Sequence, residues 1–476
     1  MKLYNTLTRS VQELTPLQTG KIKLYTCGLT VYSQPHIGNW LPYIYWDVLV
    51  RTLRQSGYEV EHTQNITDVG HLTSDDDNGE DKMEKGARAE GITAWDVAAK
   101  YIDIASDEAE QLGLMKPTHL VRATDTIQQQ IAFAKELADG NFLYEIPEDG
   151  MYFDTGAFNV FAASKRLQTY GEMARIDIDG LDAGARVSVA GKRNITDFAV
   201  WKFSPSGVQR DMEWDSPWGI GFPGWHLECS VIARETLGDQ IDIHTGGIDH
   251  VPVHHINEIA QTEAVTGKQF SQFWMHNNHL KVDGGKMAKS KGNVYTLQDV
   301  LSRGFSLDAF KLFALGKHYR TEGNFTWENL EAAQNRLNHW REHTALVHQP
   351  NRGGTNPVST LDFDAAASDM LIALQKDLDT PSVLTSIDET LQRYSTSEPT
   401  AESDQSMIHW LGFVGDALGI SLAVADITSN QKDMIADRQA ARAANDWGKS
   451  DELRSQLAKE GVGLRDTPCG ALWYWL

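Results

Sequence analysis

The chain has 476 residues, 41% of them hydrophobic, which is enough for roughly two to four domains with sizeable cores. Its 43 basic residues against 65 acidic ones give a net charge of −22, which argues against a protein that coats nucleic acid over its whole surface but not against a large acidic enzyme with one local basic face. With no apolar run long enough to cross a bilayer, no signal-peptide pattern and only three cysteines, the sequence predicts a cytosolic protein without a membrane partner or a disulfide framework.

The chain begins with alternating strand-like and helical segments. KIKLYTCG, ending at Gly28, predicts a short strand, and LPYIYWDVLVRTLRQSG predicts a helix with Ile44 and Val48 four residues apart on its apolar side. Pro42 is expected in the first turn of this helix, where proline is tolerated. Another strand-like run, YEVEHTQNIT, follows Gly57. The alternation predicts an α/β fold with a parallel sheet wrapped by helices.

The residues PHIGN, 35–39, lie between the strand predicted in KIKLYTCG and the helix predicted in LPYIYWDVLVRTLRQSG. A helix N-terminus presents free N–H groups and positive dipole character to phosphate, and Gly38 would let a ligand approach the backbone. His36 and Asn39 can donate hydrogen bonds to phosphate oxygens. Taken alone, five such residues more often form an ordinary helix N-cap with a surface histidine, because short motifs recur by accident.

The later parts of the chain differ in pattern. The region near 120–200 interrupts the alternation and is interpreted as an insertion, after which DQIDIHTGG predicts a strand and HHINEIAQTEAVTG a helix. From about Trp327 the pattern is helical, and MIADRQAARAANDWGKSDELRSQLAKEG predicts two short helices near the C-terminus.

The loop VDGGKMAKSKGN carries Lys286, Lys289 and Lys291 among glycines. Lysines on such a loop can move onto a polyphosphate and neutralise the charge that develops there, although a solvated basic turn has the same composition. Together with PHIGN, the loop resembles the HIGH and KMSKS signatures of class I aminoacyl-tRNA synthetases, which read HIGN and KMAKS in this chain.

A set of metal-binding side chains is scattered through the sequence. HHINE places His254 and Glu258 on one side of a helix, and Cys27 and Cys229 add two thiolates, a combination that zinc accepts. The two cysteines lack CxxC spacing, and a histidine–glutamate pair on a helix is more often a surface pair. The sequence alone therefore leaves this site open.

Eight blocks, in order along almost the whole chain, are similar to cysteinyl-tRNA synthetases. They are MKLYNTLTRSVQELTPL, YTCGLTVY, NITDV, DFAVWKF, GWHLECS, HTGGIDHVPVHHINEIAQTEA, VDGGKMAKSKGN and LFALGKHYR. The tail RQAARAANDWGKSDELRSQLAKEGVGLRDTPCG resembles the anticodon-binding unit of the same family.

The resemblance implies an amino-acid pocket with one zinc ion per chain. The implied ligands are Cys27, Cys229, His254 and Glu258, and the residues implied to line the cysteine pocket are Thr30, Thr67, Trp225 and His244. Serine differs from cysteine by one chalcogen atom, so a pocket that reads shape alone rejects it weakly, whereas a soft thiolate binds zinc far better than a hydroxyl does.

The resemblance also implies a reaction in which the carboxylate of L-cysteine attacks the α-phosphate of ATP, and cysteinyl-adenylate then acylates the terminal ribose of cysteine tRNA. Magnesium is expected with ATP. The implied catalytic residues are His36, Asn39, Lys286 and Lys289, and the implied ATP-binding residues are His36, Gly38, Asn39, Asp249 and Lys289. Catalysis of this kind is mostly positioning and charge stabilisation.

Several residues depart from the commonest family pattern. Asn39 replaces the last histidine of HIGH, and Ala288 replaces the serine of KMSKS. Leu29, Ser33 and Ile256 stand where proline, aspartate and an acidic residue are usual. Because Asn39 keeps a hydrogen-bond donor and both motif lysines are present, we expect adenylation to be intact.

The resemblance divides the chain into a split catalytic domain and three further parts. The expected ranges are 1–119 and 201–275 for a Rossmann-like catalytic domain, 120–200 for a connective insertion, 276–325 for a stem-contact segment with the lysine loop, 326–425 for a helical bundle and 430–476 for a small anticodon-binding unit. In the last unit Arg442, Asp451 and Asp466 match anticodon-reading positions.

Two other functions remain open from the sequence. One is a related ligase that joins cysteine to an amino-sugar, and the full-length tail argues against it. The other is a synthetase-like binding protein without catalysis, which the retained His36, Lys289 and zinc ligands argue against.

Overall fold

The structure of the chain is a computed structural model that describes residues 1–69, 81–175, 191–205, 207, 210–288, 291–350, 352–354, 356 and 361–476. The strands are β1 (Lys2–Asn5), β2 (Ser10–Glu13), β3 (Lys21–Thr26), β4 (Glu59–Ile66), β5 (His119–Arg122), β6 (Leu143–Ile146), β7 (Gly150–Phe153), β8 (Phe198–Phe203), β9 (Gly221–Pro223), β10 (Ile241–Gly247), β11 (Ser271–Asn277), β12 (Leu280–Val282), β13 (Gly323–Phe325), β14 (Val462–Thr467) and β15 (Gly470–Trp475).

The helices are α1 (Ile37–Gln55), α2 (Lys82–Glu90), α3 (Ala94–Gln111), α4 (Ile127–Asp139), α5 (Thr155–Lys165), α6 (Trp225–Leu237), α7 (Ile256–Thr266), α8 (Leu297–Ser302), α9 (Leu307–Leu315), α10 (Trp327–Thr344), α11 (Phe363–Leu374), α12 (Thr380–Thr396), α13 (Ala401–Leu418), α14 (Ser429–Ala443) and α15 (Trp447–Lys459). Among the described residues, none of these helices is both long and apolar enough to span a membrane.

A five-stranded parallel sheet in the order β11–β10–β3–β4–β5 forms the centre of the first part of the chain. Alternate side chains point to opposite sides of it. Ile243 and Met275 pack with α1 on one side, whereas Ile241 and Trp274 pack with α6 and α7 on the other. This arrangement confirms the predicted α/β fold with a Rossmann-like parallel sheet.

The strand order reverses between β3 and β10. From β3 the chain continues outward through β4 and β5, while β10 continues in the opposite direction to β11. In open α/β sheets, ligands bind in the crevice at the carboxyl ends of the strands where the order reverses. Here Thr26 of β3 lies opposite Thr245 of β10, so the residues that follow both strands meet at this crevice.

Helix α1 begins earlier than its sequence pattern predicted. His36 is its N-cap: the Nδ1 of His36 accepts a hydrogen bond from the Asn39 amide at 3.2 Å, and the Oδ1 of Asn39 accepts one from the His36 amide at 3.0 Å. This reciprocal pair starts the helix at Ile37. The expectation that Pro42 lies in the first turn is therefore wrong, because the capping residues supply an additional turn before it.

Between β5 and α6 the chain forms a second, antiparallel sheet in the order β6–β7–β8–β9. Its strands lie within 143–223 and pack with α4 and α5, whose Phe133 and Phe158 belong to the same buried cluster as Phe153 and Phe198. The range 120–200 expected for the insertion remains a prediction about a domain boundary.

The C-terminal part is helical, as predicted from Trp327 onward. Helices α10 to α13 pack together and against α1. The two predicted short helices are α14 and α15, and they are followed by the antiparallel hairpin β14–β15. This end unit is fixed to the segment after α10, because Gln349 exchanges two hydrogen bonds with the backbone of Trp473, at 2.8 and 3.0 Å.

Candidate active site

The crevice at the reversal of strand order contains a buried group of metal-binding side chains. Cys27 directly follows β3, and its amide donates to the Thr245 carbonyl of β10 at 3.1 Å. The ligand atoms of Cys27, Cys229, His254 and Glu258 all lie within 4.8 Å of one another, and all four residues are buried. The structure therefore brings together the four residues named as zinc ligands.

Three neighbouring elements supply the other members of this group. Cys229 lies on α6, His254 on a π-helical turn and Glu258 in the first turn of α7. The Nε2 of His254 is 3.3 Å from the Sγ of Cys229 and 3.0 Å from the Oε1 of Glu258. A single imidazole nitrogen thus faces both a thiol and a carboxylate.

The ionisation of the group follows from these contacts. Burial raises the pKa of Cys27 well above its usual value, with the hydrogen bond to Cys229 as the next cause. Burial acts in the same direction on Cys229, but its hydrogen bond with Cys27 and the charge of His254 lower that pKa to about 6. Burial opposes the charged form of His254, yet Cys229 and Glu258 raise its pKa to about 10. For Glu258, His244 and His254 outweigh burial and lower the pKa to about 2.

The donor set fits a zinc ion, as judged by where the remaining polar atoms of the ligands point. The second oxygen of Glu258 accepts a hydrogen bond from the Nε2 of His244 at 2.8 Å. The Nδ1 of His254 is 3.0 Å from the Nδ1 of His226. Structural zinc ligands are oriented by such outer partners, which leave one lone pair of each ligand directed inward.

Of the histidines that surround these ligands, His244 was named from the sequence, but His226 and His255 were not. His255 lies 3.3 Å from Cys27, measured from Nε2 to Sγ, and belongs with His244 to a second possible ligand group around Cys27 and Glu258. The available signal was the histidine doublet in HHINE, since His255 and Glu258 are three residues apart and share a side of the helix.

A cavity of about 190 Å³ opens beside this group. Thr30 and Thr67, which form a bridge between the segments after β3 and β4, line it together with Trp225. The Trp225 ring lies 4.2 Å from the His254 ring, centre to centre. His244, also expected in this pocket, is completely buried behind Glu258 and is not among the residues that line the cavity. Lys82 lines it, which the sequence did not indicate.

The two signature motifs contact each other at Gly38. A Cβ atom on Gly38 would lie 2.2 Å from the methyl carbon of Met287, so the lysine loop packs directly on the first turn of α1. Lys286 is exposed, and Asn293 holds the loop through bonds to the Ala288 amide at 2.9 Å and the Lys286 carbonyl at 3.3 Å. Lys289 lies outside the described residues.

Asp249 lies in the short helical turn after β10 and lines the same cavity as Cys27 and Trp225. Its carboxylate is close to the glycine pair that precedes it, because a Cβ on Gly247 would be 2.4 Å from the Oδ1 of Asp249. The side chain is thus at the mouth of the pocket, between the buried group and solvent.

In the C-terminal unit, the structure brings together Arg442 and Asp466. The Nη1 of Arg442 is 3.3 Å from Asp466, and its guanidinium lies 5.6 Å from the centre of the Trp447 ring. Arg438, which the sequence did not single out, holds both oxygens of Asp466 at 2.7 and 3.0 Å and lowers the pKa of that carboxyl. Asp451 is exposed on α15.

The fold and this site define a class I aminoacyl-tRNA synthetase. Residues 13–335 match the family model of the class I (C) tRNA synthetase catalytic domain, and residues 425–473 match that of the cysteinyl-tRNA ligase anticodon-binding domain. The chain belongs to the cysteine–tRNA ligase family.

Relatives of this family match the chain from end to end. A cysteine–tRNA ligase 1 of Burkholderia lata is 42% identical over 99% of this chain and 96% of its own length. A cysteine–tRNA ligase of Novosphingobium aromaticivorans is 40% identical over 100% and 97%. The fold is similar to that of a Mycobacterium tuberculosis methionyl-tRNA synthetase, with a TM-score of 0.60 at 14% identity, covering 85% of this chain and 92% of that one.

Proposed function

We propose that this chain attaches L-cysteine to cysteine tRNA through a cysteinyl-adenylate, and that a zinc ion held by Cys27, Cys229, His254 and Glu258 selects the substrate. The observation that carries the proposal is the convergence of these four buried ligand atoms at the base of a small pocket. The family's name for its substrate supports the same assignment.

The size and lining of the pocket suit a small amino acid. A cavity of about 190 Å³ accommodates cysteine, and Thr30, Thr67 and Trp225, which line it, are assigned to contact the amino and carboxylate groups of the substrate. When bound, zinc would supply a soft Lewis acid that accepts a thiolate and largely ignores a neutral hydroxyl. His244 acts on this pocket through Glu258, which it orients.

Adenylation is assigned to the residues of the two signature motifs and to Asp249. His36 and Asn39 are placed at the N-terminus of α1 and direct ATP phosphates toward it; their mutual capping bonds keep this turn in place. Lys286 and Lys289 of the lysine loop neutralise the departing pyrophosphate, and Asp249 binds the ribose. Gly38 lets the loop close on the helix. Magnesium accompanies ATP as part of the substrate.

Transfer of cysteine to tRNA requires a C-terminal unit that recognises RNA. The match of 425–473 to an anticodon-binding domain supports tRNA as the acceptor and argues against an amino-sugar. Arg442 presents a guanidinium beside the exposed Trp447 ring, a pair suited to stacking on an unpaired base. Asp451 and Asp466 supply acceptors for exocyclic amines, and Arg438 fixes the orientation of Asp466.

The proposal is tested by pyrophosphate exchange and by metal analysis. The purified protein should contain one zinc per chain, exchange pyrophosphate in the presence of cysteine but not serine, and charge cysteine tRNA. Pyrophosphate exchange with cysteine but no charging of any tRNA would instead favour a ligase that joins cysteine to an amino-sugar. Equal exchange with serine would remove the metal from substrate selection.

A further inference from the structure

A chain of three hydrogen bonds connects the N-terminal hairpin to Cys27. The Nε2 of His255 lies 3.3 Å from the Sγ of Cys27, and its Nδ1 lies 2.7 Å from the Nε2 of His276. The Nδ1 of His276 is in turn 2.8 Å from the hydroxyl of Thr6. His255 and His276 are 0% and 4% exposed, whereas Thr6 is half-buried and lines a neighbouring cavity together with His276.

Only one direction of donation satisfies every atom of this chain when Cys27 binds a metal. A metal-bound cysteine is a thiolate and can only accept, so the Nε2 of His255 must donate to it. A neutral His255 then accepts at Nδ1, which requires the proton of His276 to be on Nε2. The Nδ1 of His276 must therefore accept, and Thr6 is the donor that it faces.

The backbone holds Thr6 in this position. Thr6 follows β1, and its amide donates to the Trp274 carbonyl of β11 at 2.8 Å. The adjacent Asn5 donates to the Gln272 carbonyl at 2.8 Å, so the hairpin turn is attached to the strand that carries His276. On the other side, His255 packs on Gly246, where a Cβ would lie 2.6 Å from the imidazole ring.

We propose that Thr6 and His276 are positioning residues for Cys27: the Thr6 hydroxyl sets the tautomers of His276 and His255, and His255 then directs its N–H to the thiolate. The inference rests on the metal site of the proposed function. Thr6 lies before residue 13, where the match to the catalytic-domain family begins, so the assignment extends the site into the N-terminal hairpin.

The test compares zinc affinities, measured by competition with a chelator, for the full chain and three variants. Thr6→Val keeps the shape and removes the hydroxyl, and it should weaken zinc binding about 10-fold, the lower end of the usual effect of an outer partner. Thr6→Ser restores the donor and should bind like the unmodified protein. Thr8→Val is the matched control, since Thr8 is exposed in the same hairpin and its hydroxyl bonds to the Asn5 carbonyl and the Ser10 hydroxyl.

The spectrum of the cobalt-substituted protein gives a second readout. Thr6→Val should shift the thiolate-to-cobalt absorption because the Cys27 sulfur loses an oriented N–H, whereas Thr8→Val should not. If Thr6→Val does not fold, a second pair of variants makes the same comparison. His276→Gln keeps a donor toward His255, whereas His276→Leu removes it.

The outcomes separate this inference from the proposed function. If the unmodified protein binds zinc tightly and Thr6→Val leaves the zinc affinity and the cobalt spectrum unchanged, the positioning role is wrong and the assignment of the metal site is unaffected. An unmodified protein that binds no zinc would overturn the metal site itself.

Discussion

The methyl group of Met287 occupies the space beside the Cα atom of Gly38, 2.2 Å from where a Cβ would be. This contact joins the two signature motifs, which are far apart in the sequence. Glycine at this position therefore makes room for the lysine loop against α1.

Gly38→Ala should slow adenylate formation about 10-fold or more, since small displacements of reacting groups are costly. The added methyl group has to move Met287 and with it the loop that carries Lys286. The rate of ATP–pyrophosphate exchange in the presence of cysteine measures the effect. The double variant Gly38→Ala with Met287→Ala should recover part of the rate.

Gly412→Ala is the control for that substitution, because Gly412 lies within α13 with open space around its Cα atom. It should leave the exchange rate unchanged. A Gly38→Ala variant that is as active as this control would show that the contact between the motifs is not needed for adenylation.

Cys229→Ser should lower both the zinc content and the cysteine-dependent exchange, because a serine hydroxyl stays protonated and is a poor zinc ligand. Cys469→Ser is the matched control: Cys469 is exposed, whereas Cys229 is buried. Metal analysis of the two purified variants checks the prediction. Full zinc occupancy in Cys229→Ser would mean that the ligand set is misassigned.

Arg442→Ala should raise the KM for cysteine tRNA several-fold, while pyrophosphate exchange stays normal, because the base contact proposed for this guanidinium lies in the C-terminal unit and Arg442 does not line the cysteine pocket. Lys459→Ala removes an exposed cation from the end of α15 and controls for the general loss of charge. Equal effects of the two variants on tRNA charging would indicate a non-specific electrostatic contribution.

Glu263 should make the stability of the protein depend on pH. The side chain is 4% exposed, and its Oε2 has no hydrogen-bond partner among the described residues. Burial raises its pKa from 4.5 to about 7, against a lowering by the Phe270 amide. A raised folded-state pKa favours the folded state below pH 4.5, and this contribution is lost as the pH rises through 7.

Glu263→Gln removes that titration. At pH 5 the variant should unfold at nearly the same temperature as the unmodified protein, whereas at pH 8.5 it should be more stable, by on the order of 3 kcal/mol. Glu235→Gln, at an exposed position of α6, should show no such difference. A stability difference between Glu263→Gln and the unmodified protein that is the same at both pH values would contradict the prediction.

Much of the fold is encoded locally and was predicted from the sequence. The alternation of strands and helices, the joint at PHIGN and the two helices of the tail follow from periodicity and from turn residues, which act over a few positions. The start of α1 was misplaced, because the mutual bonds of His36 and Asn39 are a capping box without the usual serine or threonine.

The residue types of the metal site, two cysteines, a histidine and a glutamate, were readable from the sequence and its family resemblance. Their convergence was decided by the sheet, because β3 and β10 are neighbours although they are far apart in the chain. The position of His244 behind Glu258, the pairing of Arg438 with Asp466 and the path from Thr6 to Cys27 were decided in the same way. Such contacts depend on which side of a strand or helix meets which neighbour, and the periodicity of one segment holds no information about its partner.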